Sequence, residues 1–504
     1  MIFPVNGRQA LLCAAVMPRA CKRPESVAPK RDGLAARPIH HPERGAAVSS
    51  DPSARESRKS TIAVSLTNFL DSGCIVGSSV CLSAWAVAFG FGSLWTSILG
   101  AIGANAFGAA IGALVGGFLT DRYGRTIIYK FNLLVYALGV LLMMCAVNLP
   151  MVVLGIVISG LSVGAGVPAS WSYISETSQS TQRAANIGIS QFAWSMGPAA
   201  IFALSLLLSF VFPAFGADGK TLLEAGTYGP FDGLLASRII MAVLFVIALV
   251  AWNLQRKLKE SQDWAEKRAQ ESGHEGFGSM MARALKNSVN VKTILFLVCV
   301  YLTWNLVAGS NGQFMPYLYK AAGNLNDTTI SLLSTAQWVL CAVCSLVIFS
   351  KLGDKISHRV LFGVSALLAL LSWAVMAYFG TQFDPSGTNE SLGWVLWAYV
   401  ILWGVSAGFS AQCFYALWST ELFPTQYRGG VQGIMFFLVR GVLGIWSIVA
   451  VGIIDVSTNA GFTTIAVIMC GFLAISLIVG VVGCPKTQGR TLDEITRERY
   501  GSNL

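Results

Sequence analysis

The feature that most limits what this chain can fold into is a series of twelve long apolar runs between residues 61 and 483. A helix crossing a bilayer needs about 20 apolar residues, because a rise of 1.5 Å per residue must cover roughly 30 Å of hydrocarbon. The runs fall near 61–85, 93–119, 127–147, 151–175, 184–212, 234–254, 292–318, 331–351, 360–380, 394–420, 430–454 and 462–483. They are continuous rather than alternating, which excludes a membrane β-barrel. Of the 504 residues, 54% are hydrophobic and 12% charged, about half the charge density of a soluble domain. The expected fold is an all-α integral membrane protein of twelve spans.

The net charge of +10 does not point to nucleic acid, because the basic residues are sorted by loop. All Lys and Arg except Lys220, Arg238, Lys320 and Arg440 fall in the first 60 residues, in alternate loops or in the C-terminal tail. By the positive-inside rule both termini are then cytoplasmic, in a cell (inner or plasma) membrane. Residues 1–59 read as a disordered basic cytoplasmic tail, 60–254 as an N-terminal six-helix half and 255–291 as a cytoplasmic central loop. Residues 292–483 form a C-terminal six-helix half, and 484–504 a cytoplasmic C-terminal tail. The central loop from Arg256 to Arg268 has amphipathic helical spacing and is expected to lie on the membrane surface. Polar segments at 213–233 and 381–393 face the opposite side.

Asp71 stands far from every expected membrane boundary. A carboxylate at such depth costs about 2.5–3.5 kcal/mol on insertion scales, so its default reading is functional. An apolar setting without a nearby cation favours the protonated acid, so Asp71 is a candidate proton carrier. Most of the eleven cysteines fall in apolar runs and read as small packing residues. His40, His41, His274 and His358 fall outside the runs, which leaves no histidine relay within the membrane. No nucleophile–base set or metal-ligand cluster is evident, so the chain is not read as an enzyme, and no cofactor is expected.

The chain repeats itself across the central loop. Gly117-Phe118-Leu119-Thr120-Asp121-Arg122-Tyr123-Gly124-Arg125 follows the second run, and Leu352-Gly353-Asp354-Lys355-Ile356-Ser357-His358-Arg359 follows the eighth. Glu176 with Arg183 follows the fourth run; Glu421 with Arg428 follows the tenth. Matching charge motifs at matching ends mean two related six-helix halves. Gly117 and Gly124 permit a tight turn and close helix approach. Asp121, Arg122, Arg125, Glu176, Arg183, Asp354, Arg359, Glu421 and Arg428 are the candidates for a charged latch that opens and closes.

Gly117–Arg125 resembles the loop-2–3 signature of the major facilitator superfamily, and Glu421-Leu422-Phe423-Pro424-Thr425-Gln426-Tyr427-Arg428-Gly429 its loop-10–11 motif. Asp71-Ser72-Gly73 is similar to the "GYDTG" of sugar porters, Glu260-Ser261-Gln262-Asp263-Trp264 to a degenerate "PESPRWL", and Pro485–Glu494 to "PETKGRTLEE". The resemblance implies the two-half fold and a metabolite:proton symporter of the sugar-transporter branch working by alternating access. It implies protonation at Asp71 and substrate binding at Gln191. Two family features are absent: the span-four arginine is Ile156, and the span-seven "QQxxGxN" becomes Asn305-Leu306-Val307-Ala308-Gly309-Ser310-Asn311.

Arg440 compensates within the eleventh run. Twelve residues past Arg428, it lies about 18 Å deeper, near the midplane where transporter substrates bind. Trp194, Gln337, Gln412 and Tyr415 share that depth and join Gln191, Asn305 and Asn311 as candidate binding residues. Gly309, Gly312 and Pro316 would let the outer half of span seven unwind as a gate. If Arg440 pairs with Asp71, a neutral sugar, polyol or sugar-like cargo is expected. If Arg440 holds substrate, the cargo is an organic anion such as a sugar acid or aromatic acid. A proton-independent facilitator is the third alternative. The expected partners are the small-molecule substrate, protons and the lipid bilayer, with no nucleic acid and a monomeric carrier.

Overall fold

The computed structural model describes residues 52–216, 222–224, 226–228, 232–270, 276–323, 327–379, 393–453 and 459–501. Nearly all of them are helical. In chain order the helices are α1 Pro52–Ala88, α2 Ser93–Ile102, α3 Phe107–Tyr123, α4 Arg125–Met144, α5 Leu149–Thr177 and α6 Arg183–Val211. They continue as α7 Leu235–Gln255, α8 Gln262–Gln270, α9 Phe277–Lys286, α10 Ser288–Gly323, α11 Asp327–Cys344 and α12 Ser350–Leu352. The last six are α13 His358–Phe379, α14 Gly393–Ala407, α15 Ala411–Glu421, α16 Arg428–Ile453, α17 Asn459–Val482 and α18 Leu492–Tyr500.

Twelve helical segments are long and apolar enough to cross a membrane. Most are single helices, and two are assembled from broken pieces. Span two is α2 plus α3, interrupted at residues 103–106; span ten is α14 plus α15, interrupted at 408–410. Span eight passes from α11 through one wide π turn, Ser345–Phe349, into α12. Span seven was expected to loosen at its glycines, yet α10 runs unbroken through Gly309 and Gly312 to Gly323. Gly309 serves close packing instead: a Cβ there would meet Leu443 Cδ2 at 2.6 Å.

Small residues set the helix spacing. A Cβ on Gly112 would come within 2.1 Å of the Leu161 carbonyl, and one on Gly164 within 2.0 Å of the Ala109 carbonyl. α3 and α5 therefore touch backbone to backbone, the contact that substitutes for hydrophobic driving force in lipid. Within the N-terminal half α1 packs on α6, α5 and α7, and α4 on α5 and α7. Within the C-terminal half α13 packs on α14 and α17, and α10 on α15, α16 and α17. The halves meet along α3 against α16 and α6 against α11, two equivalent seams.

Several boundaries differ from the sequence expectation. α1 begins at Pro52, inside the stretch 1–59 read as tail; residues 1–51 lie outside the described residues, as do 380–392. Arg256–Ser261 is non-helical, and helix resumes at Gln262, because Glu260 is turned to cap a neighbouring helix. His358 is the first residue of α13 and buried, not outside the spans; its Nδ1 accepts from Trp418 Nε1 at 3.3 Å.

Candidate functional site

A central cavity lies between the halves, with about 680 Å³ of empty space when its open mouth is included. Its lining comes from both sides: Ser72, Gln191 and Trp194 from the first half, Trp304, Asn305, Asn311, Trp338, Trp403, Gln412 and Arg440 from the second. Indole rings make the walls apolar while a few amides supply directed polarity, the usual makeup of a small-molecule site. Gln412 Nε2 donates to Gln191 Oε1 across the halves at 3.0 Å. Gln191 Nε2, Asn305 Nδ2, Trp304 Nε1 and both side-chain polar atoms of Asn311 are buried without a hydrogen-bond partner. Unsatisfied buried donors cost about 1–3 kcal/mol each, so this concentration is costly for the fold alone and marks a candidate binding surface. Trp304 also stacks on Trp403 with centroids 6.2 Å apart, presenting flat apolar faces beside those amides.

Sequence reasoning named two further binding candidates that do not line this cavity. Gln337 is buried where α11 meets α14. Tyr415 stacks on Tyr301 at 4.1 Å and meets Trp171 edge-on, and Tyr301 in turn stacks near Phe436. These rings form a floor beneath the cavity. Trp171, Tyr415 and Phe436 lie five to eight residues from Glu176, Glu421 and Arg428 along spans four, ten and eleven, hence about 8–12 Å from the charged end.

Asp71 is also outside the cavity lining. It is 1% exposed, and its carboxylate faces the interior of the first half, where a Cβ on Gly166 would lie 3.9 Å from Oδ2 and 2.9 Å from Asn132 Nδ2. Oδ2 has no hydrogen-bond partner. Arg440 exerts a Coulombic influence on Asp71, but no ion pair joins them. Arg440 instead donates through Nη1 to the carbonyl and side-chain oxygens of Asn105, at 2.9 and 3.1 Å. Its guanidinium carbon lies 4.9 Å from the Phe436 ring centre. Of the two roles left open for Arg440, the direct pair with Asp71 is not formed, and Asn105 holds the guanidinium instead. Ile156, at the position of the missing arginine, is 3% exposed and packs beside Gly103.

The basic-loop end is closed by two reciprocal clasps. Asp121 of the first half accepts from the Gly429 and Gly430 amides at 3.0 and 2.6 Å, capping the start of α16 in the second half. Asp354 of the second half accepts from the Ala184 and Ala185 amides at 3.1 and 2.9 Å, capping the start of α6 in the first. A helix start offers unpaired N–H groups and a positive dipole end, which a carboxylate satisfies. Burial pushes the Asp354 carboxyl above its ordinary value, while these amides pull it back.

Ion pairs cross the same plane. Glu176 accepts from Arg125 at 2.6 and 3.1 Å and from Arg428 at 2.8 Å; all three side chains are essentially fully buried. Glu421 accepts from Arg183 at 2.8 Å. Each loop glutamate thus pairs with the arginine of the opposite half. Gly117 lets the backbones meet: a Cβ there would lie 2.2 Å from the Gly429 carbonyl. Gly124 takes φ 96°, the left-handed turn that a glycine permits.

Two latch candidates stand apart. Arg122 lies over the Phe118 and Tyr123 rings of its own helix and makes no ion pair among the described residues. Arg359 is exposed. The residue four after Asp354, where Arg125 stands four after Asp121, is His358. That shorter side chain bonds Trp418, leaving Glu421 Oε2 without a partner.

Glu260 was missed as a clasp residue although its motif was noted. Its carboxylate accepts from the Arg125 and Thr126 amides at 3.0 Å each and from Thr126 Oγ1 at 2.8 Å, capping α4. Trp264 Nε1 donates to the Asp121 carbonyl at 3.0 Å. The C-terminal motif plays the matching part, with Gln488 Nε2 donating to the Ile356 carbonyl at 3.1 Å. The repeat of a Glu260-type and a Gln488-type segment after the sixth and twelfth spans was the available signal.

The family model described as Major Facilitator Superfamily matches residues 62–448. The minor myo-inositol transporter IolF of Bacillus subtilis is 37% identical over 448 residues, covering 88% of this chain and 94% of that protein. The arabinose-proton symporter of Bacillus subtilis is 21% identical over 422 residues, covering 77% and 84%. Among solved structures, the proton:xylose symporter XylE bound to 6-bromo-6-deoxy-D-glucose superposes with a TM-score of 0.71 at 15% identity, covering 88% of this chain and 99% of that one. The fucose:proton symporter FucP of E. coli gives 0.60 at 16% identity, covering 84% and 98%.

Proposed function

The chain belongs to the Major Facilitator Superfamily, a multi-pass membrane transporter rather than an enzyme, and on that premise we propose that it carries a neutral polyol or sugar by proton-coupled alternating access. The observation that carries this reading is the cavity between the halves. Its bridged glutamines, partnerless amides and stacked indoles suit a ring with many hydroxyls, since amides donate and accept. The 37% identity to a myo-inositol transporter supports the polyol class.

Asp71 is the proposed proton carrier. An ionised carboxylate buried without a partner is costly, so the geometry around Oδ2 suits a protonated acid in this closed form. Movement of the halves would then change what Asp71 meets and release the proton. The clasps at the basic-loop end would close that side while cargo binds, with both termini on the cytoplasmic face in keeping with the charge asymmetry.

The test is uptake of labelled myo-inositol into proteoliposomes under an imposed pH gradient. Accumulation that follows the gradient, and is lost in Asp71→Asn while cargo exchange persists, is the expected result. Uptake indifferent to the gradient would overturn the coupling. Failure of myo-inositol and of common sugars to be carried would overturn the cargo class.

A further inference from the structure

Arg440 is the only charged side chain among the described residues lining the cavity. It is 3% exposed and pairs with no carboxylate within ion-pair distance. A buried cation without a counter-ion would ordinarily be costly and would draw an anionic cargo to itself. Here its charge is met by the two oxygen atoms of a neutral residue, Asn105, by the π face of Phe436 and by the neighbouring Tyr301 side chain.

Asn105 can do this only because span two is broken around it. In a continuous helix its carbonyl would accept the amide four residues on. Instead the helix stops at Ile102 and restarts at Phe107, so that the first carbonyl of the new helix used in this way is Ala106, which accepts from Ala110 at 2.8 Å. The Asn105 carbonyl is thereby released to Arg440. Glycine permits the break: a Cβ on Gly108 would lie 2.7 Å from the Ile102 carbonyl, and one on Gly160 of α5 would lie 2.9 Å from the Gly103 carbonyl carbon. Both Asn105 contacts use Nη1, and Nε of Arg440 is buried without a partner, so part of the guanidinium fork stays uncommitted at the cavity wall.

We propose that Asn105, held in the broken turn of span two, is a positioning residue that sets the charge preference of the cavity. By engaging Arg440 with neutral oxygens, it leaves the guanidinium able to grip hydroxyls but poorly placed for a bidentate carboxylate. This rests on the polyol reading above and extends it to discrimination between a neutral ring and its carboxylated analogue. Removing the Asn105 side chain would free one N–H of Nη1, the other staying on the backbone carbonyl, and that N–H becomes a charge-assisted donor for a carboxylate. Placing a carboxylate at 105 would supply a resident counter-ion and repel an anionic cargo.

The experiment measures the ratio of transport efficiencies for D-glucuronate and myo-inositol in proteoliposomes. Wild type is expected to favour myo-inositol. In Asn105→Ala the ratio should move towards glucuronate by roughly tenfold or more, the worth of one charge-assisted hydrogen bond; Asn105→Asp should move it the other way. The double variant Asn105→Ala with Arg440→Gln should lose the gain, since the effect acts through the guanidinium. A purely structural role for Asn105 would slow both substrates and leave their ratio alone. Where Asn105→Ala does not fold, Asn105→Asp decides: an unchanged ratio overturns the inference. A wild type favouring myo-inositol with unchanged ratios in the variants overturns this inference alone, whereas a wild type favouring glucuronate overturns the polyol reading together with it.

Discussion

Replacing Glu176 by Gln separates a clasp that governs conformation from one that only supports the fold. Glu176 takes three hydrogen bonds from two arginines, at 2.6, 3.1 and 2.8 Å, with every side chain buried. The amide keeps one acceptor and turns two donors towards guanidinium groups. Breaking a buried ion cluster by removing one partner costs about 3–5 kcal/mol. Arg125 keeps Asp121 and the Thr120 and Thr425 carbonyls, and Arg428 keeps the Phe423 carbonyl, so the lower figure applies. Of the three bonds only the one from Arg428 joins opposite halves, whereas those from Arg125 lie within the first half, so only the Arg428 share of the loss falls on the closed state. That one charge-assisted bond, worth about 1.5–3 kcal/mol, changes the closed-to-open ratio by roughly ten- to a hundredfold. Hydrogen–deuterium exchange reads this directly, because the Gly429 and Gly430 amides are held by Asp121 and those of Ala184 and Ala185 by Asp354. Peptides covering both helix starts should exchange faster by up to that factor, with the α13–α17 packing unaffected. Unchanged protection at both starts, accompanied by a lower melting temperature, would refute the conformational role.

Gln191→Ala should raise KM for myo-inositol, the proposed cargo, about tenfold, through loss of the Gln412 bridge, with melting temperature little changed; a titration of initial uptake rates checks it. Asp71→Asn should alter thermal stability by less than about 1 kcal/mol, since no resident cation or donor is lost at Oδ2; a drop as large as that of a broken ion pair would reveal an unseen partner. Gly112→Val should prevent assembly of the first half, because even a Cβ would sit 2.1 Å from the Leu161 carbonyl; monodisperse protein in detergent would contradict this. The Glu494 carboxyl is held below its ordinary value by the Thr491 cap of α18. Its capping contribution is therefore complete above the ordinary glutamate range and fades as pH falls through the lowered value, which exchange of the α18 amides on acidification would record.

The twelve spans were legible because lipid imposes one requirement, an unbroken apolar stretch, and hydropathy measures it. That these charges gather at one end was legible because charge motifs recur at matching span ends. Their cross-pairing, Glu176 with Arg428 and Glu421 with Arg183, was open in the sequence, since a charge pattern does not say which half it will meet. The breaks at 103–106 and 408–410 left no trace in hydropathy, because three or four residues with a single polar side chain each, Asn105 or Ser410, do not interrupt an apolar run of that length. What decides such a break is whether a carbonyl finds a partner elsewhere, as Asn105 finds Arg440. The same blindness set the expected loosening on Gly309, whose missing side chain makes room for Leu443.

The reciprocal clasps carry a consequence for energy conservation. Each half holds the other's helix by its starting amides, so releasing only Asp121 or only Asp354 leaves one seam fastened. Opening then demands that both let go within a single event, which suppresses half-open forms in which ions could trickle through. Under the proton coupling proposed above, such forms would drain the gradient that drives uptake. Built this way, the chain has a second fastening against leak, and damage to one side should show first as slippage, well before transport itself is lost.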